Sequence, residues 1–275
     1  MGKDTLHDYL HDKVVWITGA SRGIGVALAR EFAQYDARVI LSAPASERDA
    51  LHHTKSVCRL PARHWVVPLD LAQPETLHNA WEAVRTQAGH VDILVHNAGI
   101  SQHSAALDTT TDVDRYLMEV NYFGTVALTK LVLPHMIRHS PAGQVVVVSD
   151  LLGLVAAPGH AAYAATKHAL TGFFEALRAE VAELGIAVTL VFPGLVDTDM
   201  DRDALGKDGR PHPHADPAHD ADRGMSAAAL AAQVIPAIAA RKPHLVVAGR
   251  GKALLYLERL TSGLASGVLQ RTKER

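Results

Sequence analysis

The sequence predicts an α/β fold, a doubly wound Rossmann-type sheet of about seven parallel strands with helices on both faces. Two observations carry that expectation. Short apolar runs rich in β-branched residues alternate with stretches of helical period, and the first run leads straight into a glycine-rich turn and an apolar helix. Size agrees: 275 residues, 48% apolar and 20% charged, suit a single domain over 1–275 with an ample core.

The first strand is Lys13 to Thr18, whose V-V-W-I-T reads as buried. It is followed by T-G-A-S-R-G-I-G, Thr18 to Gly25, and by the helical pattern V-A-L-A-R-E-F-A. Strand, glycine turn and helix in that order are what a dinucleotide-binding turn requires. Gly19 permits the sharp turn, Gly23 the approach of backbone to a pyrophosphate and Gly25 close packing of helix on sheet, while the helix N-terminus faces the phosphates. A second strand, Ala37 to Ser42, ends in S-A-P-A-S, without the acidic residue that would bind an adenosine ribose 2′-hydroxyl. Arg22, and more remotely Arg48, could instead pair with a 2′-phosphate, which favours NADP(H) over NAD(H).

The alternation continues. Trp65 to Leu69 reads as a strand ending at Asp70, Pro74 to Ala88 as a helix, and Val91 to Val95 as a strand running into N-A-G-I at Asn97 to Ile100. Asp112 to Ile137 reads as one long helix, Ile186 to Phe192 and His244 to Val247 as strands, and Ser226 to Arg241 as an Ala-rich helix with Ser226 as N-cap. In such a sheet ligands lie beyond the strand C-terminal ends, where Asp70, Asn97, Gly99 and the stretch after Val148 all fall.

That last stretch, Ser149 to Lys167, carries Tyr163 and Lys167 four residues apart, so both project from one helical face. An ammonium beside a phenol favours the phenolate and draws a tyrosine down from its ordinary value of about 10 toward working pH. A tyrosine so placed can trade a proton with an alcohol or carbonyl oxygen.

Taken together, T-G-x-x-x-G-x-G at 18–25, D-L at 70–71, N-A-G at 97–99, V-N-Y-F-G at 120–124, Y-A-A-T-K at 163–167 and F-P-G at 192–194 resemble, in order, the motifs of the short-chain dehydrogenase/reductase family. The chain from Gly224 to about Arg271 also resembles a subgroup of that family whose eukaryotic members are membrane-associated reductases. The resemblance implies hydride transfer between a nicotinamide ring and a carbonyl or secondary alcohol carbon. Tyr163 would be the general acid/base, Lys167 would lower its pKa and hold the nicotinamide ribose, and Asn121 would hold a water in the proton relay. Asp70 would contact adenine, Asn97 the adenosine side of the cofactor and Thr198 the nicotinamide carboxamide. Gly19, Ser21, Arg22, Gly23, Ile24, Gly25, Leu71, Ala98, Gly99, Pro193, Gly194 and Val196 would complete the cofactor site.

One position departs from the family pattern. A Ser normally stands thirteen residues before the Tyr, where this chain has Asp150. Ser149, one residue earlier, would point to the opposite face of its strand. An ionised Asp is acceptor only and repels a developing alkoxide, whereas a protonated one could donate the missing hydrogen bond. Three readings stay open: a working reductase with Asp150 protonated or water-bridged; Asp150 as an added base for alcohol oxidation or a proton transfer such as dehydration or epimerisation; or a weakly active cofactor-binding or interaction protein. The first is favoured.

The helix of Tyr163 also carries Ala161, Ala165, Ala169, Gly172 and Ala176 as a small-residue stripe, and family members pair through this helix, so a homodimer or homotetramer is expected. Residues 195–225 read as a mobile lid over the substrate: from Leu195 to Gly224 there are eight Asp against four Arg or Lys. His212, His214 and His219 lie there without rigid ligand spacing, so no metal site is expected. Leu152, Val155, His160, Leu195 and Met200 are the candidates for the pocket of a small carbonyl or alcohol substrate.

Residues 250–275 read as a basic amphipathic helix with Leu257, Leu260, Leu264 and Val268 on one stripe. Packing on protein is favoured, and peripheral membrane contact is the alternative. A net charge of −2 gives no reason to expect nucleic acid as a partner. Cys58 is the sole cysteine, and a charged N-terminus together with the lack of a long apolar run makes the expected location cytoplasmic.

Overall fold

The computed structural model describes residues 2–200, 202–211 and 224–247. Among these, the strands are β1 (Val14–Thr18), β2 (Arg38–Ser42), β3 (Trp65–Val66), β4 (Ile93–His96), β5 (Gln144–Val148), β6 (Ala187–Pro193), β7 (Val196–Asp197), β8 (Met225–Ser226) and β9 (His244–Val247). The helices are α1 (Lys3–Leu10), α2 (Gly23–Gln34), α3 (Arg48–Val57), α4 (Pro74–Ala88), α5 (Thr111–Met118), α6 (Thr125–His139), α7 (Ala161–Val181) and α8 (Ala227–Ala239).

Seven strands form one parallel sheet in the order β3-β2-β1-β4-β5-β6-β9, the doubly wound topology expected from the alternation. The apolar runs are continuous because both faces are covered. Along β1, Val14 and Trp16 enter one core while Val15 and Ile17 enter the other. Trp81 of α4, Leu128 and Val132 of α6 and Phe174 of α7 fill the first core. Leu28 and Phe32 of α2 and Leu230 and Val234 of α8 fill the second. Trp16 stacks on Trp81 with ring centroids 6.2 Å apart and donates its indole N–H to the Ser42 hydroxyl at 2.8 Å, so the largest core side chain is satisfied as well as packed.

The strand expected over Trp65 to Leu69 is cut to two residues. The chain nevertheless keeps to β2 as far as Leu69, with Val67 N–H on Leu41 O and Leu69 N–H on Ala43 O, and Pro68 sits on this edge strand where its missing N–H faces away from β2. The long helix expected over Asp112 to Ile137 is interrupted between α5 and α6 by a π turn, Glu119–Gly124. Gly124 presses this turn against the loop after β3: a Cβ there would lie 2.2 Å from the Leu71 carbonyl oxygen. α1 and α3 carry too few apolar residues to show a period, and bury chiefly Leu6 with Leu10, and Leu51 with Thr54.

Ser226 caps α8 as expected, its hydroxyl accepting from Ala229 N–H at 3.2 Å. β7 pairs with β8, and the part of the expected lid at 202–211 is tied to the loop after β4 through Leu205 N–H on Ser101 O, His103 N–H on Leu205 O and Thr110 N–H on Lys207 O, each 2.9 Å. His212, His214, His219 and the helix expected in 250–275 lie outside the described residues. Ala161, Ala165, Gly172 and Ala176 of α7 are exposed, on the side opposite Leu170 and Phe174. No helix among the described residues is long and apolar enough to cross a membrane.

Candidate active site

The C-terminal ends of β1, β4, β5 and β6 open on a cleft of about 720 Å³. It begins at the glycine turn. Gly19 takes φ +65°, and a Cβ there would lie 2.8 Å from Ala98 Cα, so the β1 turn and the β4 turn touch backbone to backbone. The Thr18 hydroxyl accepts the N–H groups of Asn97 and Ala98 at 3.1 Å, and Asn97 returns its amide N–H to Thr18 O and Gly19 O at 3.1 and 3.0 Å. Ser21, Arg22, Gly23 and Ile24 line the cleft above this junction; Gly25 lies beneath it against the Gly19 carbonyl and is not on the wall.

Two carboxylates already hold the polar side chains of the turn. Glu47, in the 3-10 turn Ala45–Glu47 after β2, accepts from the Ser21 hydroxyl, and Asp203 forms an ion pair with Arg22. Neither contact is legible in the sequence. Glu47 lies five residues past Ser42 rather than at the strand end, and Asp203 is one of many Asp in its segment. Further along the wall, Asp70 is fixed by Ala72 N–H on Oδ1 at 2.9 Å and the Gln73 amide on Oδ2 at 3.0 Å, with Leu71 beside it. Gly99, Pro193, Gly194, Val196 and Thr198 complete the side that runs toward Tyr163.

Tyr163 and Lys167 lie one turn apart on α7, and both are buried. Lys167 Nζ stands 5.5 Å from the Tyr163 ring centroid and donates to Val148 O at 3.5 Å. Burial holds the Lys167 ammonium below the usual lysine value, and the Asp150 charge works against that shift. The Tyr163 hydroxyl donates to Asp150 Oδ2 at 3.3 Å and lies 3.9 Å from Met200 Sδ. Asp150 Oδ1 accepts from Leu152 N–H at 2.7 Å, capping the 3-10 turn Leu151–Gly153.

Ser149 cannot take the place of Asp150. Its Oγ is buried with no hydrogen-bond partner among the described residues, and lies 2.7 Å from where a Gly153 Cβ would be. Ser149 itself borders the cleft, past the end of β5, with its Oγ packed at the Gly153 backbone rather than beside the Tyr163 hydroxyl.

Asn121 sits in the π turn and is off the cleft wall. Its Oδ1 accepts from Ile100 N–H at 2.8 Å, and its Nδ2 donates to Ile100 O at 2.9 Å and to the Thr166 hydroxyl at 3.1 Å. The side chain therefore clamps the chain after Gly99 to the turn of α7 that carries Lys167. Of the substrate-pocket candidates, Leu152, His160, Leu195 and Met200 line the cleft and Val155 does not. His103, which the sequence did not single out, stacks on His160 at 4.9 Å between ring centroids.

A family model described as short chain dehydrogenase matches residues 13–208. A Bos taurus protein named dehydrogenase/reductase SDR family member 7B is 38% identical over 262 residues, covering 93% of this chain and 80% of that protein. A Homo sapiens protein named dehydrogenase/reductase SDR family member 7 is 43% identical over 202 residues, 71% of this chain and 59% of that protein. A crystal structure of a short-chain dehydrogenase from Streptomyces avermitilis superposes with a TM-score of 0.78 at 30% identity, covering 96% of this chain and 95% of that one.

Proposed function

Because this chain belongs to the short-chain dehydrogenase/reductase family, we propose that it is an NADP(H)-dependent oxidoreductase interconverting a carbonyl and a secondary alcohol. The observation that carries this reading is the convergence of Tyr163, Lys167 and Asp150 at one end of a long cleft whose other end is a glycine turn at a helix N-terminus. That turn fits a dinucleotide: Gly23, at φ +55°, opens α2 on the cleft wall where a Cβ would crowd Thr198 at 3.2 Å, so the helix N-terminus reaches the cleft without a side chain in the way. Gly19, Ser21, Arg22, Gly23 and Ile24 would hold the phosphates, and Asp70, Leu71, Asn97, Ala98 and Gly99 the adenosine half. Pro193, Gly194, Val196 and Thr198 would hold the nicotinamide half, with Gly25 packing the turn from below.

The bound cofactor supplies or accepts the hydride. The rest of the work falls to the chain. Tyr163 gives a proton to the carbonyl oxygen or takes one from the alcohol, Lys167 keeps positive charge beside the phenol, and Asn121 holds the Ile100 backbone and α7 in register. Preference for NADP(H) rests on Arg22, whose guanidinium would exchange Asp203 for a 2′-phosphate. The contact of Asp150 with the Tyr163 hydroxyl supports a second reading, in which Asp150 adds a base for alcohol oxidation.

Purified full-length protein incubated with NADPH or NADH and a panel of ketones and aldehydes tests this. Turnover with NADPH is the expected result, and failure to turn over any carbonyl or alcohol despite cofactor binding would leave only a binding role. The exposed small-residue stripe on α7 supports a homodimer or homotetramer, which light scattering reads directly. The site of action we propose is the cytoplasm, to be checked by fractionation.

A further inference from the structure

The place where a substrate oxygen must meet Tyr163 is bordered by a carboxylate. Asp150 stands just past the end of β5. The Leu152 N–H fixes its Oδ1 at 2.7 Å against the 3-10 turn, which keeps its Oδ2 at 3.3 Å from the Tyr163 hydroxyl. A group that reaches for the proton of Tyr163 therefore comes close to Asp150 as well.

The chemistry of that neighbourhood is selective. A carbonyl oxygen gains negative charge as its carbon takes up hydride, and a carboxylate, which can only accept hydrogen bonds, opposes that charge. Lys167 also lines the cleft and offsets part of the Asp150 charge, but its Nζ stands over the phenol ring, 5.5 Å from the centroid, and is engaged with Val148 O at 3.5 Å. Arg22 is already ion-paired with Asp203. The walls beside Asp150 include the apolar side chains of Ile100, Leu151 and Leu152, which offer its charge no hydrogen bond. Asp199, also on the cleft wall, is already paired with Arg202 at 2.9 Å, so it adds no uncompensated charge beside Asp150.

A substrate that carries its own cation next to the reacting carbon removes the conflict. Its ammonium pairs with Asp150 and at the same time offsets the charge growing on the oxygen. We propose that the substrate is an α-amino ketone, or in the reverse direction the vicinal amino alcohol, held with its ammonium on Asp150 and its oxygen on Tyr163. This rests on the oxidoreductase reading above and narrows it. In reduction the carbonyl carbon gains the hydride of the reduced cofactor and the oxygen gains the proton of Tyr163. The C=O bond becomes CH–OH, the cofactor leaves oxidised, and the ammonium keeps its protons throughout.

The test is a matched pair, 2-amino-1-phenylethanone and propiophenone, which differ by an ammonium in place of a methyl group, assayed with NADPH at neutral pH. The wild type should reduce the amino ketone with kcat/KM at least tenfold higher, and Asp150→Ser should reverse the order by lowering the first and raising the second. Equal or better use of propiophenone by the wild type, or an unchanged ratio in Asp150→Ser, would overturn the proposal while leaving the reductase intact. No turnover of either ketone by either protein, with NADPH binding retained, would overturn both. As a measurement independent of any variant, 2-amino-1-phenylethanol should inhibit the wild type at least tenfold more tightly than 1-phenylpropan-1-ol; equal inhibition counts against the amine.

Discussion

The hydroxyl of Tyr163 donates to Oδ2 of Asp150 at 3.3 Å, so the phenol at the heart of the cleft shares its proton with a carboxylate. The same carboxylate acts on Lys167, raising the affinity for a proton that burial lowers. Three titratable side chains are thus linked, and perturbing one is felt by the others.

Replacing Tyr163 by Phe removes the hydroxyl proposed to exchange the substrate proton and keeps the ring against Lys167. Turnover should fall by about 10²- to 10⁴-fold. NADPH affinity, read by fluorescence titration, should be little changed.

The pH profile reports on Lys167. Its value is lowered by burial, so its ammonium is lost at a lower pH than for an ordinary lysine, and the rate should decline on the alkaline side as pH rises through that lowered value. Asp150 pulls in the other direction. In Asp150→Asn that pull is absent, and the alkaline limb should move to lower pH; a limb that stays put would show the two groups to be uncoupled.

On the proposed preference for NADP(H), Arg22 and its ion-pair partner Asp203 would set the affinity for a 2′-phosphate. A charge-assisted hydrogen bond contributes about 1.5–3 kcal/mol, so Arg22→Ala should raise KM for NADPH roughly 10- to 150-fold with little effect on NADH. Asp203→Asn frees the guanidinium and should lower KM for NADPH. Equal losses for both cofactors in Arg22→Ala would argue against a 2′-phosphate contact.

His96 makes the fold acid-sensitive. It is buried between Thr129, whose hydroxyl lies 2.7 Å from Nε2, and the Phe174 ring, and burial pushes it down to about 3 from 6.5. Its stabilising neutral form is fully present above pH 6.5, and stability drains away as pH falls toward 3 because the unfolded chain takes up the proton first. The full effect is roughly 5 kcal/mol at most. Urea unfolding at pH 7 and pH 5 should show a loss in the wild type that is smaller in His96→Asn.

Gly124→Ala drives a methyl into the Leu71 carbonyl, where only backbone can yield. A loss of about 1–3 kcal/mol is expected from such overpacking. Because Leu71 lines the cleft, cofactor KM should rise in parallel.

Much of this molecule is legible in its residues, and the boundary is physical. The β-branched runs and the glycine turn announce the parallel sheet because burial on both faces leaves a continuous apolar signal. Tyr163 and Lys167 are visible through their spacing on one helix. Glu47 on Ser21 and Asp203 on Arg22 are not visible, since each joins segments far apart in the chain and no spacing encodes the meeting. α3 hides because Leu51 is its main apolar anchor. The π turn hides because an extra residue inside a helix leaves the apolar period on either side almost undisturbed.

The π turn also bears on how the chain can change. Glu119–Gly124 holds one residue more than a regular helix needs, and that surplus points Asn121 at Ile100 and brings Gly124 onto Leu71. Deleting a single residue there would mend the helix and leave its two halves facing as they do, yet it would remove the bulge that aims Asn121 at Ile100 and brings Gly124 onto Leu71. The chain therefore carries a flaw whose repair would be a loss: natural shortening, tolerated in surface loops, is barred at this point of the helix.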